Sequence, residues 1–135
     1  MSSPSPPGRA ILDTSVLIAR EQGRPLDRSL PDSVAVSVVS LAELELGVLL
    51  ARDTPTRAAR LRTLTHVRTL TSALPVDERT ASAYAQLAAG VIAAGRKPRV
   101  HDTWIAATAI ANDAEVWTRD SDFSDFEQSV TVIRV

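Results

Sequence analysis

Short apolar runs alternate with segments of helical length along this chain, and that alternation restricts the fold more than any other feature. Arg9 to Asp13 reads as a short buried strand, followed by a helix over about Ser15 to Arg20. Glu21 to Asp32 carries Gly23, Pro25 and Pro31 and reads as loop. Val34 to Val39 is β-branched and reads as a second strand. Ser40 to Glu43, SLAE, has the form of a capping box and opens a helix to about Leu50. Thr54-Pro55 starts another, to about Thr69, with Ala58, Leu61, Leu64 and Val67 or Arg68 on one face. Leu74 to Val76 reads as a short strand. Asp77 caps a longer helix to about Ala94, ended by Gly95, with Tyr84, Leu87, Ala88, Val91 and Ile92 as its inner stripe. Asp102 begins a small-residue apolar helix to about Asn112. Glu115 to Thr118 is a strand, Ser121 to Phe126 a loop or short helical turn, and Thr131 to Val135 a last strand. Strands alternating with helices predict an α/β fold: a mainly parallel central sheet flanked by helices on both faces.

The 135 residues suffice for one domain with a real core, and 44% hydrophobic with 23% charged content is that of an ordinary globular chain. Residues 1–8, rich in Pro and Ser, read as a flexible tail, and 9–135 as a single domain. The chain has no Cys, which excludes disulfides and thiolate metal sites. No apolar run approaches the length of a bilayer span, and nothing resembles a signal peptide, so the expected location is the cytoplasm with no membrane partner.

The acids carry the chemistry. In AILDTSVLI an ionisable group, Asp13, interrupts an apolar run, which is costly unless something compensates it. Asp13 falls at the end of the first strand, Glu43 early in the helix after the second, Asp102 at a helix start, and Asp120 and Asp122 just after a strand. In an open parallel sheet, strand ends and following helix starts share one edge, where ligands bind. Five carboxylates are expected to gather there. Each also has a purely structural use: Asp13 and Asp102 as helix caps, Glu43 in the capping box with Ser40, and Asp120 and Asp122 as solvated loop acids. Together at one edge they repel one another and must take up protons or bind cations. An all-oxygen donor set suits Mg²⁺ or Mn²⁺, and such a site hydrolyses phosphodiesters.

Net charge is −1, yet the basic residues cluster. Arg52, Arg57, Arg60, Arg62 and Arg68 face one acid, Asp53, in that stretch, and Arg96, Lys97, Arg99 and His101 lead into Asp102. These groups read either as solvated surface or as phosphate contacts. His66 and His101 read as peripheral to the chemistry.

The segments ILDTSVLI, SVVSLAELELGV, HDTWIAATAIA and WTRDSDFSDF together resemble the PIN-domain nucleases, and specifically the VapC-type toxins of bacterial toxin–antitoxin pairs. The resemblance spans about Ala10 to Phe126. It implies a PIN-like fold and an Mg²⁺- or Mn²⁺-dependent endoribonuclease leaving 5′-phosphate and 3′-hydroxyl ends. It matches Asp13, Glu43 and Asp102 to the first three acids of the family site, Asp120 to a fourth, variable position, and Asp122 to a neighbouring acid. Thr14, Ser15 and Thr118 match supporting hydroxyls. It further implies a homodimer, a cognate VapB-like antitoxin, and structured RNA such as tRNA or rRNA as substrate, with Arg96, Lys97, Arg99 and Arg119 as candidate contacts to RNA or antitoxin.

Other functions fit less well. A phosphoacceptor receiver domain needs a Lys after a late strand, whereas the lone Lys97 precedes a helix. A non-catalytic binding module predicts a broken acid set, and the set is complete. An RNA-maturation nuclease of the same fold remains the alternative within the class.

Overall fold

The computed structural model describes residues 9–135, apart from the side chain of Asp122; residues 1–8, expected to be a tail, lie outside it. The first strand, β1 (Ala10–Leu12), is the centre of a five-stranded parallel sheet. After helix α1 (Thr14–Glu21) the chain adds β2 (Val34–Ser37), α2 (Val38–Leu49), α3 (Thr54–Leu70) and β3 (Ala73–Leu74) on one side of β1. It then returns through α4 (Glu78–Ala93) and α5 (Val100–Ala111) to place β4 (Glu115–Thr118) on the other side of β1. A 3₁₀ turn (Ser121–Phe126) leads to the edge strand β5 (Val132–Arg134). The order is β3-β2-β1-β4-β5, so the direction of strand addition reverses between β1 and β4. Neighbouring loops part at such a reversal and leave a crevice at the carboxyl ends of the strands.

Alternation along the strands builds the core in two layers. Ile11, Ala35 and Val116 face α4, α5 and the 3₁₀ turn, where Leu87, Val91, Ile105, Phe123 and Phe126 close one core. Ala10, Leu12, Val36 and Trp117 face the other way, onto Val16 and Leu17 of α1, Leu44 of α2, and Leu64 and Val67 of α3. The expected α/β architecture with helices on both faces is therefore present, and among the described residues every strand pairing is parallel.

Several boundaries differ from expectation. The second strand stops at Ser37, and α2 begins at Val38, not Ser40. The cap is Ser37, fully buried, whose Oγ accepts from the Val39 and Ser40 amides at 3.0 and 3.3 Å. The expected capping box of Ser40 with Glu43 does not form: both residues lie inside the helix, because a satisfied buried cap outweighs the strand preference of Val38 and Val39. Helix α5 begins at Val100 with Arg99 at its cap position, so Asp102 sits in the first turn and is not a cap. Leu61 and Ile92, expected on inner faces, are exposed; Leu64 with Val67, and Leu87 with Val91, are buried as expected, and Ala83 joins the latter stripe.

Candidate active site

Asp13 is almost completely buried at the tip of β1 and caps α1. Its Oδ2 accepts from Ser15 Oγ at 2.6 Å, Ser15 N at 3.4 Å and Thr118 Oγ1 at 3.0 Å. Each hydroxyl carries one proton. Ser15 Oγ and Thr118 Oγ1 give theirs to Asp13, and they accept in turn from the Arg119 and Asp120 amides at 3.0 and 2.9 Å. This network ties β1 to the end of β4 across a separation of 105 residues in sequence. Buried carboxylates persist only with such donors.

Glu43 lies one turn into α2, half-buried. Thr14 Oγ1 stands 3.1 Å from both Glu43 Oε1 and Ser40 Oγ, so its single proton serves one acceptor at a time. Burial is the main cause that raises the Glu43 pKa above the usual carboxylate range; the Asp13 charge adds to it, while Thr14 and His101 oppose it. His101, expected to be peripheral, places Nδ1 3.8 Å from Glu43 Oε2. Its proximity follows from α5 lying beside α2, which nothing in the local sequence announces.

Asp102 projects from the first turn of α5, with Arg99 Nε 3.6 Å from its Oδ2. Its pKa is pushed up to about 6, first by burial, then by Asp13, and further by Asp120 and Glu43, with Arg99 opposing. Four expected acids thus share one electrostatic neighbourhood. The side chain of Asp122 lies outside the described residues. Among the described residues, no three acidic or histidine side chains form a ready-made cation cage. The fit to a divalent cation rests instead on the donor chemistry and on the crowding of like charge at Asp102, which protons or a hard cation relieve.

The expected basic contacts are placed unequally. Arg96 is paired with Asp125 at 2.6 Å, which ties the α4–α5 loop to the 3₁₀ turn, and Lys97 is exposed. Arg119 leaves β4 beside the acids, with Nη1 donating to the Pro25 carbonyl at 2.8 Å. Trp104, partly buried, stacks on Tyr84, and Trp117 is buried under the Arg28 guanidinium. An apolar hollow of about 240 Å³ walled by Leu12, Leu17, Val36 and Val67 contains none of the five acids.

The PIN domain family model matches residues 10–128. Ribonuclease VapC5 of Mycobacterium tuberculosis is 48% identical over 132 residues, covering 96% of this chain and 97% of that protein. Among solved structures, a VapBC-5 toxin–antitoxin system member from the same organism superposes with a TM-score of 0.86 at 43% identity, over 96% of this chain and 100% of that one. FitAcB from Neisseria gonorrhoeae superposes with a TM-score of 0.74 at 31% identity, over 92% of this chain and 96% of that one. A family match across most of the length, on a sheet whose reversal point holds the acids, places the chain in the PIN-domain family, on the branch that includes the VapC proteins.

Proposed function

We propose that this chain is a metal-dependent endoribonuclease, the toxin of a toxin–antitoxin pair, whose reacting carboxylates are Asp13, Glu43, Asp102, Asp120 and Asp122. The observation that carries the reading is the gathering of Asp13, Glu43, Asp102 and Asp120 at the sheet reversal, with Asp102 partly buried among the other three. Acids from four separate segments of the chain have no structural reason to meet at a sheet reversal, where they destabilise one another. They have a functional one, and relatives named as ribonucleases supply the reaction class.

Asp13, Asp102, Asp120 and Asp122 would hold Mg²⁺ or Mn²⁺. Bound there, the cation supplies Lewis acidity: it makes water a better nucleophile at neutral pH and offsets charge on phosphate oxygens. The chain supplies the rest. Ser15 and Thr118 fix the Asp13 carboxylate through Oδ2, so its orientation is set before any ligand arrives. Glu43, raised by burial and held by Thr14, is suited to orient the attacking water and take a proton from it. The burial of the acids keeps solvent from screening them. RNA such as tRNA or rRNA is the substrate, a VapB-like antitoxin the inhibitor, and a homodimer in the cytoplasm the working form. Solved relatives catalogued as toxin–antitoxin assemblies support the antitoxin partner.

Purified protein should cleave tRNA or rRNA when Mg²⁺ or Mn²⁺ is present and stop in EDTA. Asp13→Asn and Asp102→Asn should each abolish cleavage while remaining folded. Full cleavage in EDTA, or by either variant, overturns the site assignment.

A further inference from the structure

A shallow, open groove of about 490 Å³ runs from Asp120 and Ser121 past Ser15 and Ile18 of α1. Its lining includes Ser15, the exposed Ile18 and Asp120 together with Arg24, Arg119 and Arg134. The fold brings these arginines together from distant places. Arg134 lies beside Thr118 in the parallel β4–β5 register, so it shares the strand-end rim with Arg119. Gly23, with φ +70°, lets the chain turn back after α1, and the Arg24 amide closes that turn on the Ala19 carbonyl at 2.9 Å. Arg24 also borders a second hollow, lined by Arg20 and Arg28, so the cationic surface continues beyond the groove. Among the described residues, neither Arg24 nor Arg134 makes an ion pair, whereas Arg96 is already committed to Asp125.

We propose that this groove, flanked by Arg24, Arg119 and Arg134, seats the sugar–phosphate backbone of the RNA on one side of the bond to be cut. The inference rests on the nuclease reading and adds the positioning residues to it. Guanidinium forks match phosphate oxygens, and three of them outnumber the single acid, Asp120, in the groove. Among the described residues no aromatic side chain lines it, so it reads backbone charge and not base identity. An acidic peptide could also be drawn to arginines. The nucleic acid is favoured because the groove reaches the candidate site through Asp120 and through Ser15, whose Oγ donates to Asp13, and a chain cut there must continue along one rim or another.

The test measures binding of a labelled single-stranded RNA oligonucleotide in EDTA, where no cleavage intervenes, at several salt concentrations. Arg24→Ala with Arg134→Ala should weaken binding about tenfold and reduce the slope of log K against log salt by about 1.4, the value for two lost single-strand phosphate contacts. Arg24→Lys with Arg134→Lys should keep the slope, and Arg52→Ala with Arg62→Ala should leave both quantities unchanged. With cleavable RNA and Mg²⁺, the alanine pair should raise KM about tenfold and leave kcat within about twofold. An unchanged salt slope in the Arg24/Arg134 pair, an equal loss in the Arg52/Arg62 pair, or no RNA binding by the parent overturns the groove. Parent protein that binds RNA with the expected arginine dependence but never cleaves it overturns the nuclease reading and leaves the groove standing.

Discussion

Two aspartates in the same site are treated oppositely by their surroundings. Asp13 is nearly buried and receives three donors on one oxygen. Asp102 has Arg99 at 3.6 Å but is crowded by three other carboxylates, and its pKa rises to about 6. A carboxylate whose folded pKa exceeds its unfolded value loses stability as pH climbs through that interval. The ionised form is therefore a burden above about pH 6, and protonation relieves it below. At about 1.4 kcal/mol per pH unit, the rise from 3.8 to about 6 corresponds to about 3 kcal/mol as an upper figure. In EDTA, Asp102→Asn should thus unfold at a higher temperature than the parent at pH 8. The gain should shrink as pH falls through 6 and vanish near 4; a gain that does not vary with pH removes the like-charge account. Thr118→Val tests the other aspartate. It deletes the donor to Asp13 and the acceptor for the Asp120 amide, both in a fully buried position. It should cost about 1–3 kcal/mol in denaturant melts and impair cleavage as well.

At the scale of single elements, the start of α2 decides how Glu43 is used. With Ser37 as the cap, Glu43 is not needed to hold the helix and is left to the site. Ser37→Ala should therefore destabilise the protein by about 1–2 kcal/mol. Glu43→Gln should leave stability equal or higher while abolishing cleavage. A capping-box role would reverse that pattern, with Glu43→Gln costing stability. The start of α3 was legible from Pro55 and that of α4 from Asp77, with no β-branched run competing, although Asp53 and not Thr54 proves to be the α3 cap. The start of α2 was not, since Ser37-Val38-Val39 is good strand sequence and only burial of the Ser37 hydroxyl settles it. The gathering of Asp13, Glu43, Asp102 and Asp120 was legible from their places at strand ends and helix starts. His101 was missed because its partner lies on another helix, and Arg24 and Arg134 because turn geometry and strand register bring them to the groove.

Across the molecule, the class of fold could be read from alternation, but the order β3-β2-β1-β4-β5 could not. Which side of β1 receives β4 is a matter of long-range packing, not of any local pattern. The order matters because it brings Thr118 to Asp13 and opens the crevice between their loops. Four carboxylates in one crevice repel one another, and the proposed cation should stabilise the molecule by relieving that repulsion. A ligand present at about 100 times its Kd stabilises by about 2.7 kcal/mol. Mn²⁺ should accordingly raise the melting temperature of the parent by several degrees and that of Asp102→Asn by little. Equal shifts in both proteins would place the ion elsewhere.

The bond between Thr118 and Asp13 also has a consequence in time. During translation β1 leaves the ribosome first, yet the hydroxyl and the acids that complete its site come from α5 and β4, some hundred residues later. A nascent polypeptide therefore cannot bring Asp13 together with Thr118 and Asp102 until α5 and β4 have both been made.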